Sequence, residues 1–193
     1  MKLTDKQKIE YYKHKNEKNK IIREDIKRKG YIVHGARAIN AHLPTYLDVH
    51  TEDYDVFTTK PKRAATVVER RLDKHYGGNY FRTEPAEHEG TFKVRSNVTE
   101  KTAADYTKPD RKVDYKEVRG VKYATLQHHK NKIKESLSNK RNEFRHKKDL
   151  EALQRIKLYE SKLKAHRRQV KKQPTSFLAY LPKLKNIKNR GGY

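Results

Sequence analysis

The chain has no cysteine, no long apolar run and only half as many acidic residues as basic ones. The absence of cysteine excludes disulfide bonds and thiolate metal sites. No apolar stretch approaches the ~20 residues that a membrane-spanning helix needs, and residues Met1 to Lys6 lack the apolar core of a secretory signal. From these absences we expect an intracellular protein, cytoplasmic or enclosed in a virion, that is not secreted by a classical signal.

Positive charge dominates the composition and is concentrated at the two ends of the sequence. The 193 residues carry 48 Lys and Arg against 24 Asp and Glu, a formal net charge of +24. Residues 30–125 are nearly balanced, with 17 basic and 14 acidic residues, whereas residues 1–29 hold 11 against 5 and residues 126–193 hold 20 against 5. Such an excess indicates a polyanionic partner, and we expect nucleic acid in preference to an anionic membrane surface.

Length and composition predict one folded core with extensions, since only 33% of the residues are apolar and 37% are charged. Residues 4–29 have a helix-forming composition and are followed by Gly30, which suits the position just past a helix. Their apolar residues are patchy, so we expect a solvated basic helix that docks only at its carboxyl end, or a flexible Lys-rich tail. The predicted parts are a basic amino-terminal helix (1–29), a core (30–125), carboxyl-terminal helices packing on the core (126–172) and a basic, aromatic tail (173–193).

Within the predicted core, short strands alternate with helices. Pro61 suits a first helical position, apolar residues recur after it at helical spacing, and Gly77 ends the element. Gly120 marks the turn of a hairpin. The predicted strands cover residues 31–34, 54–58, 80–83, 91–96 and 103–107, and the predicted helices cover residues 36–43 and 61–76. This order predicts an α+β fold in which a mixed β-sheet has helices on one side, with basic helical extensions at both ends.

The run Thr51–Phe57 carries two acidic residues two positions apart in a predicted strand. Side chains at i and i+2 of a strand point to the same face, so Asp53 and Asp55 are predicted to stand side by side. Acidic pairs are also common in turns and at helix caps, which is the alternative explanation. On a strand, like charges this close repel unless a cation lies between them. Mg²⁺, or Mn²⁺ in its place, takes one or two carboxylates and leaves its other positions to water and substrate phosphates.

Asp105 is the one acid in the otherwise uncharged run Ala103–Tyr106. An unpaired carboxylate is costly to bury, so it needs a partner. One partner would be the metal ion predicted beside Asp53 and Asp55. The other would be Arg95 on the adjacent strand, and the sequence leaves both open.

The turn Gly35-Ala36-Arg37-Ala38, the strand Asp53-Tyr54-Asp55-Val56 and the later acid Asp105 together resemble the polymerase-β-type nucleotidyltransferase superfamily. The first two motifs resemble most closely the viral poly(A)-polymerase-like branch. The resemblance covers roughly residues 30–125, with a weaker similarity at Arg145–Leu150.

This resemblance implies a minimal nucleotidyltransferase fold and an enzyme that uses an NTP substrate with two Mg²⁺ or Mn²⁺ ions. It implies that the three acids are the catalytic, metal-binding residues and that Gly35, Ala36 and Arg37 bind the nucleotide. Ala36 departs from the family, which usually has Gly or Ser there. Alanine keeps room for a phosphate but lacks the hydroxyl donor of serine, and the Arg37 guanidinium, which matches phosphate oxygens, can compensate.

Two helices are predicted beyond the core, over residues 126–137 and from residue 142 or 143 to about residue 172. Arg145 and Lys148, three positions apart at the start of the second, share a face and can bind a nucleotide triphosphate or the acceptor backbone. The alternative is that they belong to an ordinary solvated amphipathic helix.

Three further features carry weaker predictions. The adjacent His128 and His129 would point about 100° apart on a helix, so we expect solvated polar side chains and not a metal site. His34 is expected to be a hydrogen-bonded structural residue. The apolar patch Phe177 to Leu181 predicts docking on the core or on a protein partner, followed by a basic segment that stays disordered unless bound.

The predicted activity is metal-dependent transfer of a nucleoside monophosphate from an NTP to an RNA 3′ hydroxyl, as in poly(A) polymerases. The basic ends favour RNA over a small-molecule acceptor, because each phosphate contact adds affinity. Two alternatives remain. One is a nucleic-acid-associated structural or packaging protein that keeps the fold, and the other is a toxin-like nucleotidyltransferase acting on tRNA or protein.

Overall fold

The computed structural model describes residues 4–14 and 17–172, and within them the chain is a mixed α+β structure with a seven-stranded sheet and six helices. The helices are α1 (Asp5–Lys13), α2 (Glu17–Lys29), α3 (Gly35–His42), α4 (Pro61–Tyr76), α5 (Leu126–Ser138) and α6 (His146–Lys172). The strands are β1 (Ile32–His34), β2 (Tyr54–Phe57), β3 (Phe81–Pro85), β4 (Thr91–Ser96), β5 (Thr102–Thr107), β6 (Tyr115–Val118) and β7 (Val121–Ala124). Short 3₁₀ helices cover Thr45–Leu47 and Lys140–Arg145. The predicted α+β class is confirmed.

The described part of the chain contains no helix that is both long and apolar enough to cross a membrane. The predicted tail, residues 173–193, lies outside the described residues, and so does its apolar patch Phe177 to Leu181.

The sheet is mixed and has the strand order β3-β4-β5-β2-β1-β7-β6. Strand β2 runs parallel to β5 and β1 runs parallel to β7, while the other neighbours are antiparallel. Parallel neighbours need a long crossover, and the chain between β2 and β5 supplies it with α4 and the β3–β4 hairpin. This topology brings the acidic run around residue 55 next to the much later strand β5.

One face of the sheet is covered by α2 and α4 and forms the main core. Val33, Val56 and Tyr106 point to this face and are fully buried. Ile22 and Ile26 of α2, with Ala65, Val68 and Leu72 of α4, are buried against them. Full burial of each of these Val, Ile and Leu side chains stabilises the fold by about 1.5–3 kcal/mol. Because strand side chains alternate, His34, Asp55 and Asp105 are directed to the opposite face.

A second, smaller core joins α3 to the two carboxyl-terminal helices. Ile39 and Leu43 of α3 are buried with Ile133 of α5 and Ile156 of α6. The guanidinium of Arg155 adds hydrogen bonds to the backbone oxygen of Leu47, at 2.7 Å, and to Asn40. The amino-terminal half of α6 is thereby held beside α3, whose first residue is Gly35.

The structure agrees with the predicted elements where local signals were strong. The helix expected over residues 61–76 forms as Pro61–Tyr76, and Gly77 ends it with a φ of +74° in the left-handed region. The hairpin expected at Gly120 turns on Arg119 and Gly120, both of which have positive φ. Consecutive positive φ values are the signature of the tight turns that match strand twist.

The amino-terminal prediction is wrong in two respects. Two helices, α1 and α2, replace the single helix expected over residues 4–29. The segment also docks near its beginning, because Tyr11 is only 4% exposed and its ring lies against Tyr76, Tyr80 and Phe81. The neighbouring apolar residues Ile9 and Tyr12, by contrast, are 60% and 54% exposed.

Candidate active site

Two of the predicted acids lie directly opposite each other on neighbouring parallel strands. Asp55 of β2 is the register partner of Asp105 of β5, and Val56 and Tyr106, the next pair along, face the core on the other side of the sheet. Asp53 lies just before β2, and its charge acts on both of the other carboxyls. The topology therefore brings together three acids that are up to 52 positions apart in the sequence.

Gly35 lies against Asp55 and leaves no space for a larger residue. Its φ of +66° is in the left-handed region, and a Cβ built on it would overlap Asp55 Oδ2 and lie 2.8 Å from Cγ. Residue 35 also opens α3, and the preceding His34 pairs with Asp55 in the β1–β2 register. Glycine is required here both for the backbone conformation and for the close approach of the carboxylate.

The acids repel one another in a partly water-excluded setting. Burial, reinforced by the charges of Asp53 and Asp105, raises the pKa of Asp55 to about 7. Burial also raises the pKa of Asp105 to about 6, with Asp53 adding to the increase and Lys93 opposing it. A cation that binds among carboxyls held in this way stabilises their ionised form.

Lys93, and not Arg95, is the cation beside Asp105. Lys93 of β4 is the register partner of Asp105, whereas Arg95 lies beyond an irregularity in β4. The Arg95 guanidinium instead pairs with Glu84, at 3.0 Å, and with Glu100. The alternative explanation of Asp105 as the partner of Arg95 is therefore wrong.

The donor set fits a hard cation. The side-chain groups are carboxylates, and Asp105 Oδ1 is shut off from solvent without a hydrogen-bond partner among the described residues. Those residues do not contain three acidic or histidine side chains arranged as a ready-made metal cage. Mg²⁺ does not require such a cage, because it usually binds one or two carboxylates and completes its shell with water and substrate phosphates.

Arg37 and Thr51 fix the approach to the site. The Arg37 guanidinium donates from Nε to the backbone oxygen of Asp53, at 2.8 Å, and from Nη2 to that of Thr51, at 3.1 Å. It also lies 3.9 Å from the centre of the Tyr54 ring. Thr51 Oγ1 donates to the Asp53 carboxylate at 3.0 Å. In this structure Arg37 holds the acidic loop, and its predicted contact with a triphosphate stays a prediction.

The beginning of α6 brings positive charge to the acids. Lys148 and Arg145 both oppose the rise in the pKa of Asp55. Arg145 also pairs with Asp149, its Nε lying 3.3 Å from Oδ2, and Asp149 is only 6% exposed. Lys148 makes no ion pair with any described residue. The predicted proximity of this helix start to the acids is present, and nucleotide binding by Arg145 and Lys148 stays a prediction.

The histidines near the site differ from expectation. His129 is buried, and burial lowers its pKa to about 3, so it is not the solvated residue predicted. Burial also lowers the pKa of His34 to about 3; its ring stacks on Phe57 with centroids 3.8 Å apart, and its Nε2 has no partner among the described residues. His128 meets the same Phe57 ring edge-on at 5.7 Å. These rings form an apolar wall beside Asp55.

Lys18 of α2 is a residue near the site that the sequence did not single out. Burial lowers its pKa, and the charges of Glu52 and Asp53 oppose that change. The amino-terminal segment contains eleven basic residues, and no sequence pattern distinguishes Lys18 from the rest. Only the packing of α2 against α4 and the sheet places it beside the acidic loop.

Comparison with known proteins supports the fold. Part of the chain matches the crystal structure of the Megavirus polyadenylate synthase with a TM-score of 0.60 and 19% sequence identity. The match covers 75% of this chain. The chain has a nucleotidyltransferase-like fold. The predicted resemblance to poly(A)-polymerase-like nucleotidyltransferases is confirmed at the level of the fold.

The match is partial in its extent. This chain spans 31% of the length of the Megavirus polyadenylate synthase. A second solved structure, JHP933 from Helicobacter pylori, matches over 68% of this chain and 57% of that one, with a TM-score of 0.39 and 15% identity. No protein-family model and no curated protein sequence matches the chain.

Proposed function

We propose that the chain is a metal-dependent nucleotidyltransferase that adds a nucleoside monophosphate from an NTP to an RNA 3′ hydroxyl. The observation that carries the proposal is the pairing of Asp55 with Asp105 on adjacent strands, with Gly35 closed against Asp55. In the transfer, the bond between the α-phosphorus and the leaving pyrophosphate oxygen breaks. A bond from the acceptor oxygen to that phosphorus forms, and the acceptor hydroxyl gives up its proton.

The three carboxylates would bind the metal ions, and one of them would lie beside the attacking hydroxyl of the acceptor. Asp53 and Asp55 would hold Mg²⁺ or Mn²⁺, and Asp105 would complete the site next to the attacking hydroxyl. When bound, such ions neutralise triphosphate charge and lower the pKa of the attacking hydroxyl. Asp55 must be ionised for this role. Because its pKa is raised to about 7, the carboxyl loses its proton only near neutral pH unless a cation is present.

The neighbouring side chains would position the substrates. Lys148 and Arg145 bring positive charge to the side of Asp55, where the triphosphate would lie. Gly35 lets the Asp55 carboxylate lie against the backbone at the start of α3, beside which the triphosphate would approach. Arg37 keeps the loop that carries Asp53 in place through two backbone oxygens. The Phe57 and His34 rings exclude water on one side of Asp55.

The positive charge of the chain is the reason for proposing RNA as the acceptor. The net charge of +24 and the excess of basic residues at both ends suit a polyanionic acceptor. RNA with a free 3′ hydroxyl combines that charge with the reacting group, which a small-molecule acceptor does not.

The test is a label-transfer assay. The chain is incubated with Mg²⁺ or Mn²⁺, each labelled NTP in turn, and a mixture of RNA oligonucleotides and tRNA, beside an Asp53→Ala/Asp55→Ala variant. We expect label on RNA with the parent chain and at least a hundredfold less with the variant. Label transfer that survives the double substitution would sink the assignment of the acids. Label on tRNA or on protein alone would favour a toxin-like enzyme with the same chemistry.

A structural, RNA-binding role is the second candidate. It is favoured by Ala36, which offers no side-chain donor to a phosphate, and by Arg37, whose guanidinium is already engaged. No transfer by the parent, combined with equal RNA binding by parent and variant, would support this role.

A further inference from the structure

A groove of about 730 Å³ runs along the amino-terminal half of α4, on the core face of the sheet. Its floor is apolar and includes Val67 and Phe92, and Phe92 packs against the edge of the main core. Five cations surround the floor, namely Lys60, Lys62, Arg63, Arg70 and Lys108. All five are exposed. The groove is therefore a basic trough with an apolar base.

The five groove cations have no acidic partners among the described residues. None of their side chains takes part in any ion pair or hydrogen bond found there. Arg71, the neighbour of Arg70, shows the contrast, because it pairs with the buried Asp25 at 2.9 Å. Glu69 and Glu89, close in sequence, do not line the groove. Unpaired cations on one wall cost free energy through mutual repulsion, and a bound polyanion removes that cost.

The spacing of the cations suits a phosphate backbone. Lys62, Thr66 and Arg70 follow one another at i, i+4 and i+8 on one face of α4, a row about 12 Å long at ~1.5 Å per residue. An apolar base beneath a charged rim suits a single strand, whose bases are free to contact it while phosphates meet the cations. A duplex would present only its backbone and would leave the base of the groove unused.

The groove also lies close to the acids, although on the other face of the sheet. Lys108 follows Asp105 by three residues, which is about 10 Å of extended strand. Phe92 and Lys93 are neighbours on β4, and Lys93 is the register partner of Asp105. The groove lies beyond the carboxyl ends of β2 and β5, so an RNA strand in it would pass around these strand ends to bring its own end to the acidic site.

We propose that this groove binds single-stranded RNA, holding the part of the acceptor that precedes its 3′ end. The choice of RNA and of its direction rests on the proposed function, whereas the binding of a single-stranded polyanion rests on the groove itself. Arg63 and Arg70 are the cations chosen for testing, because both are exposed and neither supports the fold through a described ion pair.

The test measures binding without NTP and without divalent cation, so it does not depend on catalysis. Fluorescence anisotropy with a labelled single-stranded RNA oligonucleotide compares the full chain, Arg63→Glu/Arg70→Glu and the control Lys134→Glu/Lys157→Glu. The control makes the same charge change at exposed residues of α5 and α6. We expect the groove variant to bind at least about tenfold more weakly than the control. We also expect the slope of log K against log salt to become shallower by about 1.4, because each lost phosphate contact removes ~0.7.

Every outcome bears on the groove. Equal weakening by the groove and control variants would show that only net charge matters and would overturn the proposal. So would duplex RNA binding better than the single strand to the parent chain, or phosphatidylserine vesicles losing affinity on the groove substitutions while RNA does not. Circular dichroism melting confirms that the variants fold. If the parent binds RNA through the groove but transfers no label, the groove proposal stands and the proposed function fails.

Discussion

At the scale of single residues, the acidic site depends most directly on Gly35. Its positive φ is shared by Gly77, but only Gly35 lies against a carboxylate, because a Cβ at Gly77 would have nothing within 4 Å. Substituting alanine at either position should cost about 1 kcal/mol of stability through the backbone. Gly35→Ala should in addition displace Asp55 and abolish label transfer, whereas Gly77→Ala should retain it.

Thermal unfolding and the label-transfer assay on these two variants give the comparison. The matched backbone strain in Gly77→Ala isolates the effect of the crowded Asp55. Equal activity in the two variants would show that Asp55 does not need its present position.

A second residue-scale prediction concerns the pH dependence of stability. The pKa of Asp55 is raised to about 7 in the folded chain, above the unfolded value of ~3.9. Between those values the folded chain holds a proton that the unfolded chain has released, so this carboxyl makes stability fall as pH rises from about 4 to about 7. In the absence of divalent cations, Asp55→Asn should remove this loss and be more stable than the parent at pH 8 by about 2 kcal/mol.

Urea unfolding at pH 5 and pH 8 in the presence of EDTA measures the difference. Asp114→Asn, at an exposed acid in the loop before β6, serves as the control and should leave the parent profile unchanged. A parent chain whose stability rises across this range relative to Asp55→Asn would contradict the prediction.

Divalent cations should increase the stability of the folded chain by offsetting the repulsion among the three acids. At pH 8, Mg²⁺ at about a hundred times its dissociation constant should stabilise the parent by ~2.7 kcal/mol, since it binds the folded chain and relieves the repulsion among the acids. Asp53→Ala/Asp55→Ala should show no such increase. Unfolding curves recorded with Mg²⁺, and with Na⁺ at the same ionic strength, separate specific binding from screening, and equal gains in both salts would argue against a metal site.

The residues of the candidate site were accessible to sequence reasoning to different degrees. Asp53 and Asp55 carry a local signal, the i, i+2 spacing, and Gly35 precedes a helix at a turn. The pairing of Asp55 with Asp105 follows from a parallel crossover, which no local pattern specifies, although the lone acid on an apolar strand pointed to it. Lys18 and Lys93 could not be predicted, because their proximity depends on helix packing and on strand register.

At the scale of elements, α1 docks on the core through the buried Tyr11. Tyr11 is buried among Tyr76, Tyr80 and Phe81, and the Tyr76 hydroxyl donates to the backbone oxygen of His14 at 2.7 Å. The neighbouring Tyr12 is 54% exposed. Tyr11→Ala should therefore destabilise the fold by about 3 kcal/mol, and Tyr12→Ala should change stability by less than about 1 kcal/mol.

Chemical denaturation of the two variants tests this difference. A loss confined to Tyr12→Ala, or equal small changes in both, would show that α1 does not dock through Tyr11.

Elements whose ends are marked by proline or glycine were predictable from the sequence, and elements whose ends are fixed by tertiary contacts were not. Pro61 and Gly77 mark the two ends of α4 correctly, because proline suits the first helical turn and Gly77 adopts the left-handed conformation that ends the helix. The division of the amino-terminal segment into α1 and α2 has no comparable signal. There the burial of Tyr11 by distant aromatic residues overrides a continuous helix-forming composition.

At the scale of the whole molecule, positive charge is distributed over more than one surface. The groove on α4 belongs to the nearly balanced middle of the sequence, while the outer half of α6 belongs to its basic end. Residues 161–169 of α6 are all exposed and include four Lys and Arg and no acid. This half of the helix therefore contributes charge with little burial, and its stability comes from the inner half that packs at Ile156.

Neutralising the outer half of α6 should separate its electrostatic contribution from its structural one. Glutamine keeps the helix propensity close to that of lysine and arginine, so Lys162→Gln/Lys164→Gln/Arg167→Gln/Arg168→Gln should leave the free energy of unfolding within about 0.5 kcal/mol of the parent. If single-stranded RNA contacts this surface as well as the groove, the slope of log K against log salt should become shallower by up to about 2.8, because four phosphate contacts at ~0.7 each are lost. Anisotropy titrations from 50 to 200 mM salt measure the slope, and an unchanged slope would place the bound RNA away from α6 and leave the α4 groove as its main contact.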